Sequence, residues 1–485
     1  MWKSLYLLDE LKDGRRFSCA LKRLCPRSLR CYHSQAHNGG EGLAKSLVLS
    51  SPNSEEPRSA AAVPRVRWLF LDLNSYFASV EQETEPTLRN RPVAVVPLMA
   101  DTTCCIAASY EAKAFGVKTG TQVGEAKRMC PELVLVEARH ELYIDYHRRV
   151  VEAVESCIPV SSVRSIDEMA CELVGREQPL LAAMELARRI KATIREQVGS
   201  TLRCSIGLAP NRYLAKIASD MEKPDGLIAL TGDLLPHALL RLTLRDLVGI
   251  GKRMERRLNT HGVQTMADLL ALTAEQLGQA WGGVQGERLW HWLRGQDFHD
   301  AELEHAKSVG HQHVLPPEFR TPEGAYAIAH KLLHKAAMRL RTQNLWAAGI
   351  ALSLRFTVPK QAASGKHGSG IPQQAWSGQL RLVECQDSQT LIEGLRKLWS
   401  MRPVGALYEK PFLVSVTLID LVPDALHTLN LFSTLDREAS RNQLAATMDQ
   451  LNHKYGTETL YFASMHLARA AAPTRIAFHT IPDLF

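Results

Sequence analysis

No two cysteines in this 485-residue chain have the two-residue spacing of a zinc knuckle or a redox dithiol. The ten cysteines are scattered: Cys104 and Cys105 are adjacent, and Cys19, Cys25 and Cys31 stand six apart. That pattern excludes a disulfide framework and a cysteine-held zinc, and it indicates a reducing, cytosolic compartment. No apolar run approaches the roughly 18 to 20 residues of a membrane span, so no membrane partner is expected. A continuous apolar core for a secretory signal is also missing. The histidines lack metal-ligand spacing, and His140, His147 and His334 read as surface or packing residues. No repeat of solenoid period occurs.

What is present is ordinary in bulk. Hydrophobic content is 45% and charged content 22%, the balance of a soluble globular protein with room for about three domains. The net charge of +7 favours an anionic partner where the charge is clustered.

Residues 1–64 join a basic, Ser/Cys-rich stretch, RRFSCALKRLCPRSLRCYHS, to a linker-like SSPNSEEPRSAAAVP. Asp9, Glu10 and Asp13 argue against a transit peptide, which is poor in acids, and the segment reads as a disordered or dispensable extension. Order begins at VRWLFLDLNSYFASVEQ, a buried strand followed by helical spacing after Asn74-Ser75. RPVAVVPL is a further strand, IAASYEAKAFGVKTG a helix closed by Gly116, and RCSIGLA a strand behind the amphipathic LAAMELARRIKATIREQVG. NRYLAKIASDMEKPDG is a helix stopped by Pro224 and Gly226. Strands alternating with helices predict an α/β or α+β unit over about 66–230. Residues 231–298 are all-helical, DFHDAELEHA is a polar linker, and 307–421 follow the order of a βαββαβ unit. That last unit holds 14 Lys and Arg against 7 Asp and Glu, so the basic character of the chain is concentrated there.

The chemistry centres on SSVRSIDEMACEL, where Asp167 and Glu168 sit side by side in a strand-like segment. A lone acid pair of this kind is ordinarily a strand end in solvent. Asp72, near the end of a hydrophobic strand, reads on its own as a cap at the strand–helix junction. Together the three acids lie on two strands of one unit. If those strands are neighbours, the carboxylates converge and need divalent cations between them, which suits two-metal phosphoryl transfer. Residues 167 and 168 of a regular strand point to opposite faces, so the SIDE segment is expected at a hairpin and not mid-strand.

Six stretches occur in a fixed order: FLDLNSYFASVEQ, SYEAKAFGV, SIDEMACEL, CSIGLAPNRYLAKIASDMEKPDG, LVGIGKRMERRL and KSVGHQHVL. They closely resemble the Y-family translesion DNA polymerases, in the polymerase IV (DinB) branch. The resemblance runs from about 66 to at least 421 and implies an α+β multidomain fold. Residues 65–76 and 139–230 then match a palm with a mixed sheet and helices, 77–138 small fingers, and 231–298 a helical thumb with a helix-hairpin-helix. Residues 299–306 match a linker, 307–421 a little finger, and 422–485 a C-terminal tail.

The resemblance implies low-fidelity, template-directed synthesis past lesions, with nucleotidyl transfer from a dNTP to a primer 3′-hydroxyl. Asp72, Asp167 and Glu168 match the metal ligands and the Leu73 carbonyl a further one, for two Mg²⁺ ions that Mn²⁺ replaces. Phe77 matches a steric gate under the sugar, with Tyr76 beside it, and Tyr110, Lys113 and Lys223 match triphosphate contacts. Gly249, Gly251 and Lys252 match a backbone grip on DNA phosphate. The implied partners are primer–template DNA, damaged DNA included, and dNTPs, met by a monomer in the cytoplasm at the bacterial nucleoid. A non-catalytic DNA-binding or scaffold paralogue is the alternative, and loss of a palm acid would mark it.

Two positions depart from the pattern. Asn74 stands where the family usually has a second acid, and Lys113 replaces an Arg, losing the planar fork that binds phosphate bidentately. Near the end, TLNLF with Leu429, Leu431 and Phe432 approaches the sliding-clamp peptide of bacterial clamp partners, as does IPDLF with Leu484 and Phe485.

Overall fold

The computed structural model describes residues 64–101, 103–297, 307–357, 373–428, 435–456, 458–469 and 471. The N-terminal segment 1–63 and both clamp-like peptides, with Leu429, Leu431, Phe432, Leu484 and Phe485, lie outside them.

The first strand, β1 (Trp68–Leu73), is buried along almost its whole length, as its apolar run predicts. It leads into α1 (Tyr76–Thr84). Next come β2 (Val93–Val96), β3 (Ala107–Ala108), α2 (Tyr110–Ala114), α3 (Val123–Met129) and β4 (Val134–Glu137). These three strands form a small sheet in the order β3-β2-β4, with its own apolar cluster around Val96, Val117 and Val123. The segment expected as one helix from Ile106 divides instead. Ser109 takes the Val93 N–H on its hydroxyl and caps α2 by accepting the Ala112 N–H, so the helix cannot start earlier. Gly116 then turns the chain at φ 87°.

Helix α4 (His140–Glu155) precedes the hairpin of β5 (Ser162–Val163) and β6 (Glu168–Glu172). After α5 (Leu180–Gln197) come β7 (Cys204–Ala209), α6 (Arg212–Met221) and β8 (Leu227–Ala229). The five strands order as β5-β6-β1-β7-β8, with β1 antiparallel to both β6 and β7. Leu69, Leu71 and Leu73 face one layer with Tyr143, Ile190 and Ile194. Phe70 faces the other, with Leu214, Ala215 and Ile217 of α6. By strand alternation Asp72 shares the α6 side with Phe70. Asn211 caps α6 by accepting the Leu214 N–H at 2.8 Å. Gly207 on β7 lets that helix lie flush on the sheet: a Cβ there would stand 2.0 Å from the Ala215 carbonyl oxygen.

Residues 231–297 are helical but open with short 3₁₀ turns, the last at Leu244–Asp246, before α7 (Lys252–Thr260), α8 (Met266–Ala271), α9 (Ala274–Trp281) and α10 (Val284–Trp292). The βαββαβ order is found as β9 (Ser308–Val314), α11 (Pro322–Thr342), β10 (Leu345–Thr357), β11 (Gln373–Cys385), α12 (Ser388–Ser400) and β12 (Pro411–Pro423). Its strands form one antiparallel sheet, β11-β10-β12-β9, covered on one face by α11 and α12.

The part expected as a C-terminal tail is only partly a tail. Helix α13 (Leu435–Tyr455) and a 3₁₀ turn at Ala463–Ala468 fold back on this unit. Asp449 takes Arg341 on both carboxylate oxygens, at 2.6 and 2.9 Å. Lys331, whose side chain is 3% exposed, reaches Glu458 at 2.7 Å and the carbonyl of Arg469 at 2.8 Å. A buried ammonium needs such partners, and the folded-back segment provides them.

Candidate functional site

Asp72 and Glu168 are direct partners across β1 and β6, so their side chains share one face. Asp167 is the last residue of the turn before β6, where the Arg164 N–H donates to the Glu168 carbonyl at 2.8 Å. The acid pair therefore sits at a hairpin, as its geometry requires, and the Leu73 N–H donates to the Asp167 carbonyl at 2.8 Å. The turn is pinned from behind by His147, a buried residue whose Nδ1–H donates to the Ile166 carbonyl at 2.8 Å. Ser165 donates its hydroxyl to Asp167 at 2.5 Å. Burial raises the Asp167 carboxyl above its ordinary range, and the Asp72 and Glu168 charges push the same way against the Ser165 bond.

The oxygens of Asp72 and Glu168 are held by lysines. Lys216 on α6 reaches Asp72 Oδ2 at 2.5 Å and Glu168 Oε1 at 2.7 Å, and Lys223 reaches Asp72 Oδ1 at 2.6 Å. Asp220 takes both ammoniums, at 3.1 and 2.8 Å. Burial opposes the charge on each lysine, but Asp72 and Asp220 outweigh it and raise both. Among the described residues no three His, Cys, Asp or Glu side chains are already converged on one metal position. The strands bring the acids side by side as expected, and ammonium groups lie between their oxygens.

The loop that carries Lys223 is fixed by Asn74. Its side-chain oxygen accepts the Asp225 N–H at 2.7 Å. Lys191 clasps the same loop through the Asp225 carboxylate at 2.9 Å and the Asp225 carbonyl at 2.6 Å.

Phe77 lies half-buried one residue beyond Tyr76 on α1 and stacks on Tyr143, with ring centroids 4.4 Å apart. Tyr143 is held by Glu81, a fully buried carboxylate that accepts its hydroxyl at 2.6 Å and also pairs with Arg139. Tyr76, expected to line the nucleotide site with Phe77, is instead 3% exposed, and its hydroxyl donates to the Tyr143 carbonyl at 2.6 Å. Successive helical positions point about 100° apart, so only one ring of the pair stays out of the core. From α2, Lys113 donates to Ser75 at 2.7 Å and lies 4.4 Å over the Tyr110 ring. Burial and the neighbouring Lys223 lower the Lys113 ammonium, while Asp72 raises it. Tyr110, Lys113, Lys223 and Asp72 thus share one electrostatic neighbourhood.

The impB/mucB/samB family matches residues 71–220, and its C-terminal domain matches 306–431. A thumb domain described for DNA polymerase-iota matches 245–297. The DNA polymerase IV of Moorella thermoacetica is 34% identical over 402 residues, covering 81% of this chain and 95% of that protein. The chain belongs to the Y-family DNA polymerases, in the polymerase IV branch. DNA polymerase IV 1 of Bacillus subtilis is 30% identical, covering 80% of this chain and 91% of the relative. A solved Y-family DNA polymerase chimera of Dbh and Dpo4 shares the fold with a TM-score of 0.59 at 23% identity, over 74% of this chain and 99% of the other.

In Y-family terms the thumb contributes one exposed turn. Gly249, at φ 91°, and Gly251, which precedes α7, leave the backbone open, and Lys252 opens the helix beside them. A Cβ at Gly249 would meet the Trp281 ring at 3.7 Å, so the positive φ and not crowding calls for glycine there. Tyr213 of α6 ties the palm to this turn by donating to the Val248 carbonyl at 2.9 Å. In the little finger, Arg355 and Arg381 stand exposed on the strands. Among the described residues no helix is long and apolar enough to cross a membrane. Sequence reading missed Lys216, Glu81, Tyr143 and Ser165. Of these only Lys216 left a signal, its spacing of four from Asp220 on a predicted helix.

Proposed function

We propose that this Y-family polymerase extends a DNA primer across damaged template, with Asp72, Asp167 and Glu168 as the ligands of the divalent cations that the reaction needs. The observation that carries the reading is the cross-strand pairing of Asp72 with Glu168, with Asp167 in the turn beside them. The residues fit cations on their own evidence, because both oxygens of Asp72 and one of Glu168 already attract ammonium groups. Hard carboxylate oxygens, with the Leu73 carbonyl as a further ligand, suit Mg²⁺ and also Mn²⁺. Bound there, a pair of such ions supplies positive charge against the phosphates and the primer hydroxyl.

The chain's own groups do the rest. Lys223, Lys113 and Tyr110 bind the triphosphate and orient it, and correct placement alone removes much of the barrier. Phe77 lies under the sugar and excludes a 2′-hydroxyl, with Tyr143 as its floor and Tyr76 as support behind. Gly249, Gly251 and Lys252 grip duplex phosphates, and the basic little finger adds salt-sensitive contacts that carry no sequence preference. Leu429, Leu431 and Phe432 are the proposed sliding-clamp peptide.

Primer extension on one undamaged and several lesion templates tests the reading. Asp167→Ala and Glu168→Ala should each lower extension by about a thousandfold, the upper range for losing a transition-state electrostatic group, while DNA binding holds. Extension near the wild-type rate in either variant overturns the ligand assignment. Full DNA binding with no extension by the wild-type chain would favour a scaffold role.

A further inference from the structure

We propose that Lys216 is a resident counter-cation of the palm acids, one that a divalent ion has to displace, and that Asp220 is the residue that receives it. The inference rests on the reading of Asp72 and Glu168 as ligands and adds a step to it. Lys216 Nζ is 2.5 Å from Asp72 Oδ2 and 2.7 Å from Glu168 Oε1, so it spans the two strands that carry the ligands. Its side chain is 17% exposed and Asp72 is 8% exposed, so the pair is poorly screened by water. A metal takes carboxylate oxygens at about 2.0 to 2.6 Å, which leaves no room for an ammonium on the same lone pairs. One cation therefore excludes the other.

Displacement is physically easy here. Lys216 has a flexible four-carbon stem, and Asp220 lies one helical turn along α6, already 3.1 Å from the same Nζ. Asp220 is 35% exposed, the most open of the three acids that Lys216 touches, and it also takes Lys223 at 2.8 Å. It is thus the shared second partner of both lysines that occupy Asp72. When Lys223 moves to a triphosphate and Lys216 withdraws, Asp220 can neutralise the withdrawn charge without being a metal ligand itself. Lys216 and Asp220 act through the ligands and are positioning residues. Their effect is to keep Asp72 and Glu168 neutralised between turnovers and to set how tightly an ion binds before nucleotide arrives.

The test uses the full chain without nucleotide and titrates Mn²⁺, counting free ion by its electron paramagnetic resonance signal. Lys216→Met removes the competitor, so the Mn²⁺ dissociation constant should fall about tenfold, an ordinary size for coupling between two bound charges. Lys216→Arg keeps the charge and binds carboxylates through a fork, so the constant should rise. Asp220→Asn removes the receiving group and should also raise it. Unchanged or weaker binding in a folded Lys216→Met overturns the proposal. If that variant does not fold, Lys216→Arg decides, and unchanged binding there overturns it. Glu168→Gln separates the two claims. If it leaves Mn²⁺ binding intact, the ligand reading fails; if it abolishes binding while the lysine variants do nothing, only the displacement step fails.

Discussion

Asn74 accepts the backbone N–H of Asp225 at 2.7 Å, joining the end of β1 to the lysine-bearing loop 151 residues later in the chain. Asn74 is 2% exposed, and its amide nitrogen also donates to Ser205 at 3.2 Å. The departure from a second acid at this position thus has a use: a neutral amide satisfies partners of both kinds. Asn74→Ala should leave the Asp225 N–H without its acceptor and cost about 1 to 3 kcal/mol of stability. Because the loop carries Lys223, the KM for dNTP should rise more than kcat falls. Chemical denaturation and steady-state primer extension measure the two effects, and an unchanged KM would show that the loop does not depend on this bond.

Phe77 rests on Tyr143, and Tyr143 rests on Glu81. Phe77→Val should raise ribonucleotide incorporation, because the smaller side chain opens the space under the sugar. Tyr143→Leu should do the same more weakly by removing the stacked floor, at a stability cost of about 1 kcal/mol for the lost aromatic pair and about 1 to 3 kcal/mol more for taking the hydroxyl from the buried Glu81 carboxylate. Competing dNTP and rNTP in single-nucleotide extension reads both, and equal discrimination in all three proteins would mean that the Phe77 ring serves packing alone.

Acid should weaken the βαββαβ unit. Burial lowers His311 and His330 to about 4 and His334 to about 3, and the Lys335 and Arg339 charges add to the effect on His311. In the unfolded chain the same residues take up protons near 6.5. Between those values the unfolded state binds more protons, so stability is intact above about pH 6.5 and falls as pH drops toward 4. Denaturant midpoints from pH 7.5 to 5 should follow that slope, and His330→Asn with His334→Asn should flatten it.

Gly207→Ala should be among the most damaging small changes in the palm. The added Cβ would stand 2.0 Å from the Ala215 carbonyl oxygen and 2.4 Å from the Ser219 nitrogen, and both are helix backbone that cannot step aside. Helix α6 must lift from β7, at about 3 kcal/mol for overpacking of this kind. Since α6 also carries Lys216, primer extension should fall along with the urea midpoint. A variant of wild-type stability would mean that the helix can slide without loss.

The parts legible in the sequence were those with a local signature. The buried run of β1, the turn at SIDE and the start of α6 at Asn211 are all set by residues within a few positions of one another; the cap at Ser109 was not read, so one helix was expected from Ile106. The acids could be assigned before their strands were known to be neighbours only because the order of the motifs implied it. Lys216 was passed over because a lysine on the polar side of an amphipathic helix is ordinarily solvated. Tyr76 was misplaced because two adjacent aromatics do not say which one faces the core. The folded-back C-terminal segment escaped notice for a different reason. Its anchors are polar pairs, Arg341 with Asp449 and Lys331 with Glu458, that lie 108 and 127 residues apart in the chain. Long-range charge pairs leave no periodic trace.

That segment also separates two ideas of a domain. The match to the C-terminal family domain ends at residue 431, yet Lys331 inside it finds its partners at Glu458, Ala468 and Arg469. The span of the family match and the unit that folds together are therefore different segments of this chain. The segment beyond the match neutralises a charge that the matched one keeps buried.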